Sequence, residues 1–170
     1  MPNKPHVWVS RPTFPEVIAR LEPHFRVSQE SLERRLQPAE LAAQLAACDA
    51  AIVGLKERIG AEAVRGARRL RIVANLAVGH DNLDVAALTA AGIAATNTAD
   101  VLNESVADHA WALLLGAARR VGAAERWLRG GHWQATEFKA WLGTDVRGST
   151  LGILGMGRIG QAIARRAAGF

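Results

Sequence analysis

Between Gly148 and Arg166 the chain runs through an apolar stretch, the spacing Gly155-x-Gly157-x-x-Gly160, and a helical pattern. Few short signals constrain a fold as tightly, because each glycine answers a different steric demand. The first permits a tight turn, the second lets backbone amides approach a pyrophosphate, and the third lets the helix pack close on the strand before it. Leu151, Ile153 and Leu154 are expected to form that strand, and Ile159, Ala162, Ile163 and Ala167 put an apolar stripe on the helix. The positive helix N-terminus then faces the anion. An acidic residue that bonds the cofactor ribose is expected about 20 residues further on, whereas the sequence stops at Phe170. On this reading the nucleotide site is begun and not finished.

Upstream, short apolar runs recur at spacings of roughly 20 residues, each followed by a helical pattern, which is the signature of β-α units around a parallel sheet. The predicted strands are Val7 to Val9, Phe25 to Val27, Ala51 to Val53, Ile72 to Leu76 and Ile93 to Thr96. Pro15 opens a helix through Leu21, Pro38 opens Ala39 to Ala47, and Asp84 caps Val85 to Ala91 before Gly92. Five strands with their helices make a small doubly wound domain. A different texture follows. Asn103 is a predicted N-cap, and Val106, Ala107, Ala110, Trp111, Leu113, Leu114 and Ala117 cover a wide arc of one long helix to about Val121. An arc that wide is expected to be buried between domains or in a two-fold dimer. A further helical piece, Ala123 to Leu128, leads to Gly130-Gly131 and an irregular stretch with Trp133 and Trp141.

The predicted fold class is therefore α/β. A flavodoxin-like doubly wound domain (1–98) precedes interdomain or dimerisation helices and a hinge (99–148), and the start of a Rossmann dinucleotide-binding domain (149–170) follows. The composition, 49% hydrophobic over 170 residues, supports a buried core. The single cysteine, Cys48, excludes an internal disulfide framework and a multi-thiolate metal site, and no metal is expected. No run of apolar residues is long enough to span a bilayer and no signal-like segment opens the chain, so a cytoplasmic location is expected. The formal charge of +5 does not point to nucleic acid. Its arginines come in pairs (Arg34-Arg35, Arg68-Arg69, Arg119-Arg120, Arg165-Arg166) among acidic residues and without interleaved aromatics. A general attraction for anionic ligands is the inference instead.

The segment Asn75-Leu-Ala-Val-Gly-His-Asp-Asn-Leu-Asp84 lies just beyond the fourth predicted strand, where ligands bind in open α/β sheets. Small or β-branched Ala77, Val78 and Gly79 leave consecutive N–H groups accessible, a nest able to hold a carboxylate. The same segment also reads as a plain strand-to-helix turn. Taken with Asn97-Thr-Ala-Asp-Val-Leu-Asn-Glu-Ser-Val-Ala-Asp-His109 and the glycine turn, in that order, it resembles the D-2-hydroxyacid dehydrogenase family from about Ala50 onward. Trp141-Leu-Gly-Thr-Asp-Val146 with Gly157-Arg-Ile-Gly160 is most similar to its glyoxylate/hydroxypyruvate reductase and 2-ketogluconate reductase branch.

This resemblance implies an NAD- or NADP-dependent reduction of a small 2-oxo acid to the D-2-hydroxy acid by a homodimer, with neither membrane nor nucleic acid as partner. It places the substrate against Leu55, Ala77, Val78 and Gly79, with Trp141 near the partner subunit's site. It places the cofactor against Val78, Val101, Asn103, Gly155, Gly157, Arg158, Ile159 and Gly160. In the family a substrate-clamping Arg and a His held by an acidic residue carry the chemistry. Those positions are expected beyond residue 170, so no catalytic residue is assigned here and the chain alone is expected to be inactive. His80 and His109 match none of them. The competing reading is a dinucleotide-sensing, corepressor-like or dimerisation module without catalytic activity.

Overall fold

Five short strands, β1 (His6–Val9), β2 (Arg26–Gln29), β3 (Ala50–Val53), β4 (Ile72–Asn75) and β5 (Ala94–Thr96), pair in parallel in the order β2-β1-β3-β4-β5. That is the flavodoxin-like doubly wound order. The computed structural model describes residues 4–135, 139 and 141–170. It divides into two compact units, Met1–Ala99 and Asp100–Phe170.

In the first unit the helices begin where the sequence predicts. Pro15 and Pro38 open α1 (Pro15–Leu21) and α2 (Pro38–Ala47), since proline is pre-set for the first helical position and its missing N–H is no loss there. Gln37 and Glu40 add a reciprocal capping box to α2. Asp84 caps α4 (Val85–Ala90), its carboxylate accepting from the Ala87 amide at 2.9 Å, and Gly92 leaves that helix with φ of +70°. The one-turn helix α3 (Ala61–Val64) is not foreseen from the sequence; four residues carry too little periodicity to show. The second strand starts one residue after Phe25 and runs to Gln29.

Register sets the core. Trp8 lies beside Ala51, and Ala51 beside Val73, so these side chains share one face of the sheet. Leu41 and Leu45 of α2, Val64 of α3 and Leu88 of α4 join them in one buried cluster. The start of the sheet is tied by the His6 amide, which donates to Asp49 Oδ2 at 2.7 Å. That bond, with Arg69 beside it, holds the Asp49 carboxyl below the usual carboxylate range. Cys48 ends α2 inside the core, and burial pushes its thiol up to about 11. The thiol is therefore protonated as well as shielded. Native protein at pH 8 should react with a disulfide reagent only on the timescale of unfolding, and prompt titration of one thiol would contradict this placement.

The second unit is built from α5 (Asn103–Ala118), α6 (Val121–Arg129) and α7 (Arg158–Arg166), with a 3-10 turn at Ala167–Gly169. Two expectations need correcting. Asn103 is not the cap of α5. It is the first helical residue, Leu102 occupies the cap position without a side-chain bond, and the Asn103 amide group reaches back to Asp100 Oδ1 at 3.0 Å. The expected strand at Leu151, Ile153 and Leu154 is not formed either. Among the described residues no strand of this unit offers the hydrogen-bonding edge that would turn an extended segment into sheet, and Leu154 stands fully exposed.

The expected single helix to Val121 instead stops at Ala118, and Arg120 turns the chain into α6 with φ of +56°. Only Ala107 and Trp111 of α5 are buried, while Val106 and Leu113 face outward. Helix α7 packs on α5: the Trp111 indole donates to the Ile163 carbonyl at 2.9 Å and stacks on Phe170 at 4.5 Å, with Ala162 buried. Arg166 pairs with Asp108 and Glu104, which favours its charged form.

Candidate functional site

The residues expected to meet a substrate carboxylate follow the C-terminal end of β4. What distinguishes this loop is where its carbonyl groups go. The Thr98 amide donates to the Ala77 carbonyl at 2.9 Å, the Asn97 side chain to Val78 at 2.8 Å, and the Asn75 side chain to Gly79 at 2.9 Å. All three carbonyls are thus held from behind. The N–H groups of Ala77, Val78 and Gly79 make no hydrogen bond among the described residues. Ala77 is buried, Val78 half-buried and Gly79 exposed, so the run of free donors emerges at the surface. Free, adjacent, immobilised amides are what a carboxylate needs.

Behind the loop lies a buried polar network. Asn82 donates to the carbonyls of Gly54 and Glu57, each at 3.1 Å, and its amide group exchanges hydrogen bonds with that of Asn75. The Ile59 amide donates to the Asn82 carbonyl and the Asp84 amide to the Ile59 carbonyl, both at 2.8 Å. Glu57, also buried, accepts from Ser10 Oγ and the Gly54 amide, each at 2.8 Å. The loops after β1, β3 and β4 are thereby one hydrogen-bonded body, and Leu55 projects from it, exposed. Sequence reasoning assigns no role to Asn75, Asn82, Asn97 or Thr98. Only their presence in short motifs could draw notice, because the bonds reach up to 28 residues along the chain.

The other candidates lie in the second unit. Gly155 turns with φ of +94°, a conformation that glycine adopts without strain. A Cβ on Gly160 would lie 2.2 Å from the Gly155 carbonyl oxygen, so helix and turn touch there. Gly157 is different: its φ of −74° suits any residue, and a Cβ on it would meet nothing within 4 Å. Nothing in the chain itself asks for glycine at that position, whereas a group lying against the turn would. The amides of Arg158, Ile159 and Gly160 precede the first hydrogen bond of α7, from Gln161 to the Gly157 carbonyl at 2.9 Å. These features fit a dinucleotide pyrophosphate.

Asp100 organises the remaining cofactor candidates. With φ of +70°, it accepts from Asn103 and from Arg158 Nε, both at 3.0 Å on the same carboxylate oxygen, with exposed Val101 beside it. Sequence reasoning misses this role, although an aspartate is among the few non-glycine residues that tolerate such a conformation. Trp141 lies against Trp127, ring centroids 5.2 Å apart, beneath the Arg120 guanidinium. Among the described residues none of the five histidines bonds a carboxylate through its ring; His6, the one that is buried, bonds the Ala47 carbonyl and Ser28 Oγ.

Comparisons with known proteins bear on the whole chain. Glyoxylate reductases of Thermococcus kodakarensis and Pyrococcus furiosus are each 46% identical over 98% of this chain, which spans 51% of their length. The crystal structure of a Thermus thermophilus protein superposes with a TM-score of 0.90 at 38% identity, covering 96% of this chain and 53% of that one. An NADPH-dependent glyoxylate/hydroxypyruvate reductase from Sinorhizobium meliloti, solved with NADP and malonate, gives 0.77 at 35% identity, covering 98% and 51%. Residues 7–168 match the model of the catalytic domain of D-isomer specific 2-hydroxyacid dehydrogenases, and this chain belongs to that family.

Proposed function

We propose that this chain forms the substrate-binding part and the first cofactor-binding turn of a cytoplasmic, NAD- or NADP-dependent reductase that converts a small 2-oxo acid of the glyoxylate or hydroxypyruvate type to the D-2-hydroxy acid. The observation that carries the reading is the loop Ala77–Gly79, with its three carbonyls tied back and its three amides free. Those amides bind the substrate carboxylate and fix the orientation of the adjacent carbonyl carbon, with Leu55 bordering the same acid. Fixed donors cost no reorganisation when the substrate arrives. A bound nicotinamide dinucleotide supplies the hydride. Gly155, Gly157 and the first amides of α7 would hold its pyrophosphate, while Asp100 keeps Arg158 and Asn103 in place and Val101 would contribute apolar contact. No histidine among the described residues has its ring paired with an acid, so the chain by itself is expected not to oxidise NADH or NADPH with glyoxylate.

Gly79 provides the test. A Cβ there would meet only Asp81 Oδ1, at 3.3 Å, so Gly79→Val should leave the fold intact. Its bulk would stand where the carboxylate docks. In the full-length enzyme kcat/KM for glyoxylate should fall by about tenfold or more, a loss of roughly 1.4 kcal/mol in transition-state binding; unchanged kinetics would remove the loop from the site. The outward-facing Val106 and Leu113 of α5 support a homodimer in which this surface is covered. Sedimentation of the full-length enzyme should give a dimer, and a monomer at micromolar concentration would contradict it.

A further inference from the structure

A cavity of about 790 Å³ opens in the first unit between the start of α2 and the segment joining β3 to α3. Leu36, Pro38 and Leu41 contribute apolar wall, and the charged lining is Arg35, Lys56 and Arg58 with Glu57 and Glu62. A smaller cavity of about 410 Å³ is bordered by the same three cations and Leu55. Space on this scale suits an organic molecule rather than a lone inorganic ion.

The charge around it is unbalanced for a physical reason. Glu40 is engaged by Arg34, and Glu62 by Arg65. Glu57 is turned inward, accepting from Ser10 and Gly54 with Arg11 beside it. Arg35, Lys56 and Arg58 are left with no ion pair or side-chain hydrogen bond among the described residues. Three like charges bordering one concavity focus their field into it. At the start of α2, Pro38 has no N–H and Glu40 is drawn into the capping box with Gln37.

We infer that this cavity binds a small phosphomonoester with an apolar body. The three cations engage its phosphate oxygens, and Leu36, Pro38 and Leu41 receive the rest of the molecule. Guanidinium forks match phosphate geometry, and a dianion answers an excess of positive charge better than a single carboxylate does. None of Ala77, Val78 or Gly79 lines either cavity, and Leu55, which borders the proposed substrate, touches only the smaller one, so the larger cavity does not depend on that reading.

The test is calorimetric titration of the 170-residue chain with 1-naphthyl phosphate, inorganic phosphate and 1-naphthol, repeated on Lys56→Gln/Arg58→Gln and on Gly79→Val. Lys56 and Arg58 are exposed, so the double variant should fold. Saturable binding of 1-naphthyl phosphate is expected, tighter than either fragment and weakened by salt. The double variant should bind about tenfold more weakly or worse, and Gly79→Val should bind unchanged. Absence of saturation, equal affinity for inorganic phosphate, or indifference to the double substitution would each overturn the assignment. Loss of binding in Gly79→Val would likewise overturn it, by placing the anion on the loop after β4.

Discussion

Replacing Gly160 by alanine should weaken dinucleotide binding by about tenfold to a hundredfold and destabilise the second unit at the same time. The new methyl would sit 2.2 Å from the Gly155 carbonyl oxygen and 3.2 Å from its carbon. Both are backbone atoms, so no side chain can swing aside. Either α7 tilts away from the turn or the turn opens, and in both cases the amides of Arg158 and Ile159 leave their places. Overpacking of this kind typically costs about 1–3 kcal/mol, and a displacement near 1 Å in a positioned group is worth up to about a hundredfold. Gly157→Ala separates the two effects, because an alanine Cβ there would meet nothing in the chain. That variant should melt at the parent temperature and still bind NADH or NADPH more weakly in the full-length enzyme. Parent-like stability and affinity in Gly160→Ala would show that the turn is not the rigid cradle described here.

Asn82→Ala should produce the largest loss of stability among substitutions in the first unit outside the apolar core. The side chain is 7% exposed, and its removal strips donors from the Gly54 and Glu57 carbonyls and the partner from Asn75. Each buried polar group left unsatisfied costs about 1–3 kcal/mol, so a total of about 2–4 kcal/mol is expected, a large share of the stability of an ordinary domain. Asn82→Asp should do no better. Its carboxylate can accept from Asn75, but it would face two carbonyl oxygens with no hydrogen to give. Urea unfolding of the chain should show midpoints well below the parent for both variants. On the proposed reading, KM for glyoxylate in the full-length enzyme should rise as well, since the Gly79 carbonyl loses the support that Asn82 lends through Asn75. An unchanged midpoint in Asn82→Ala would mean that the network is decorative.

What was legible in the sequence was local. Pro15, Pro38, Asp84 and Gly92 mark helix ends through their own backbone preferences, which need no distant partner, and all four act in the structure as expected. Short apolar runs and their spacing likewise showed five strands, and their parallel α/β arrangement followed from the helices between them. The glycine turn was readable for the same reason, because Gly155 takes a positive φ and Gly160 abuts the Gly155 carbonyl a few positions away.

Tertiary structure decided everything that depends on which partner is already taken. Leu151 to Leu154 carries strand composition yet is no strand here, since a strand exists only through a neighbour's hydrogen bonds. Ala77, Val78 and Gly79 read in sequence as a nest or as a plain turn. What the fold adds is that Asn75, Asn97 and Thr98 occupy the carbonyls and leave the amides free. Asn82 bridges 25 and 28 residues to do its work, a reach that no window of local pattern reveals. The cations Arg35, Lys56 and Arg58 look in sequence like any solvated charges. Folding pairs Glu40 with Arg34 and Glu62 with Arg65 and turns Glu57 toward Ser10, and so leaves those three cations at one cavity without an ion pair among the described residues.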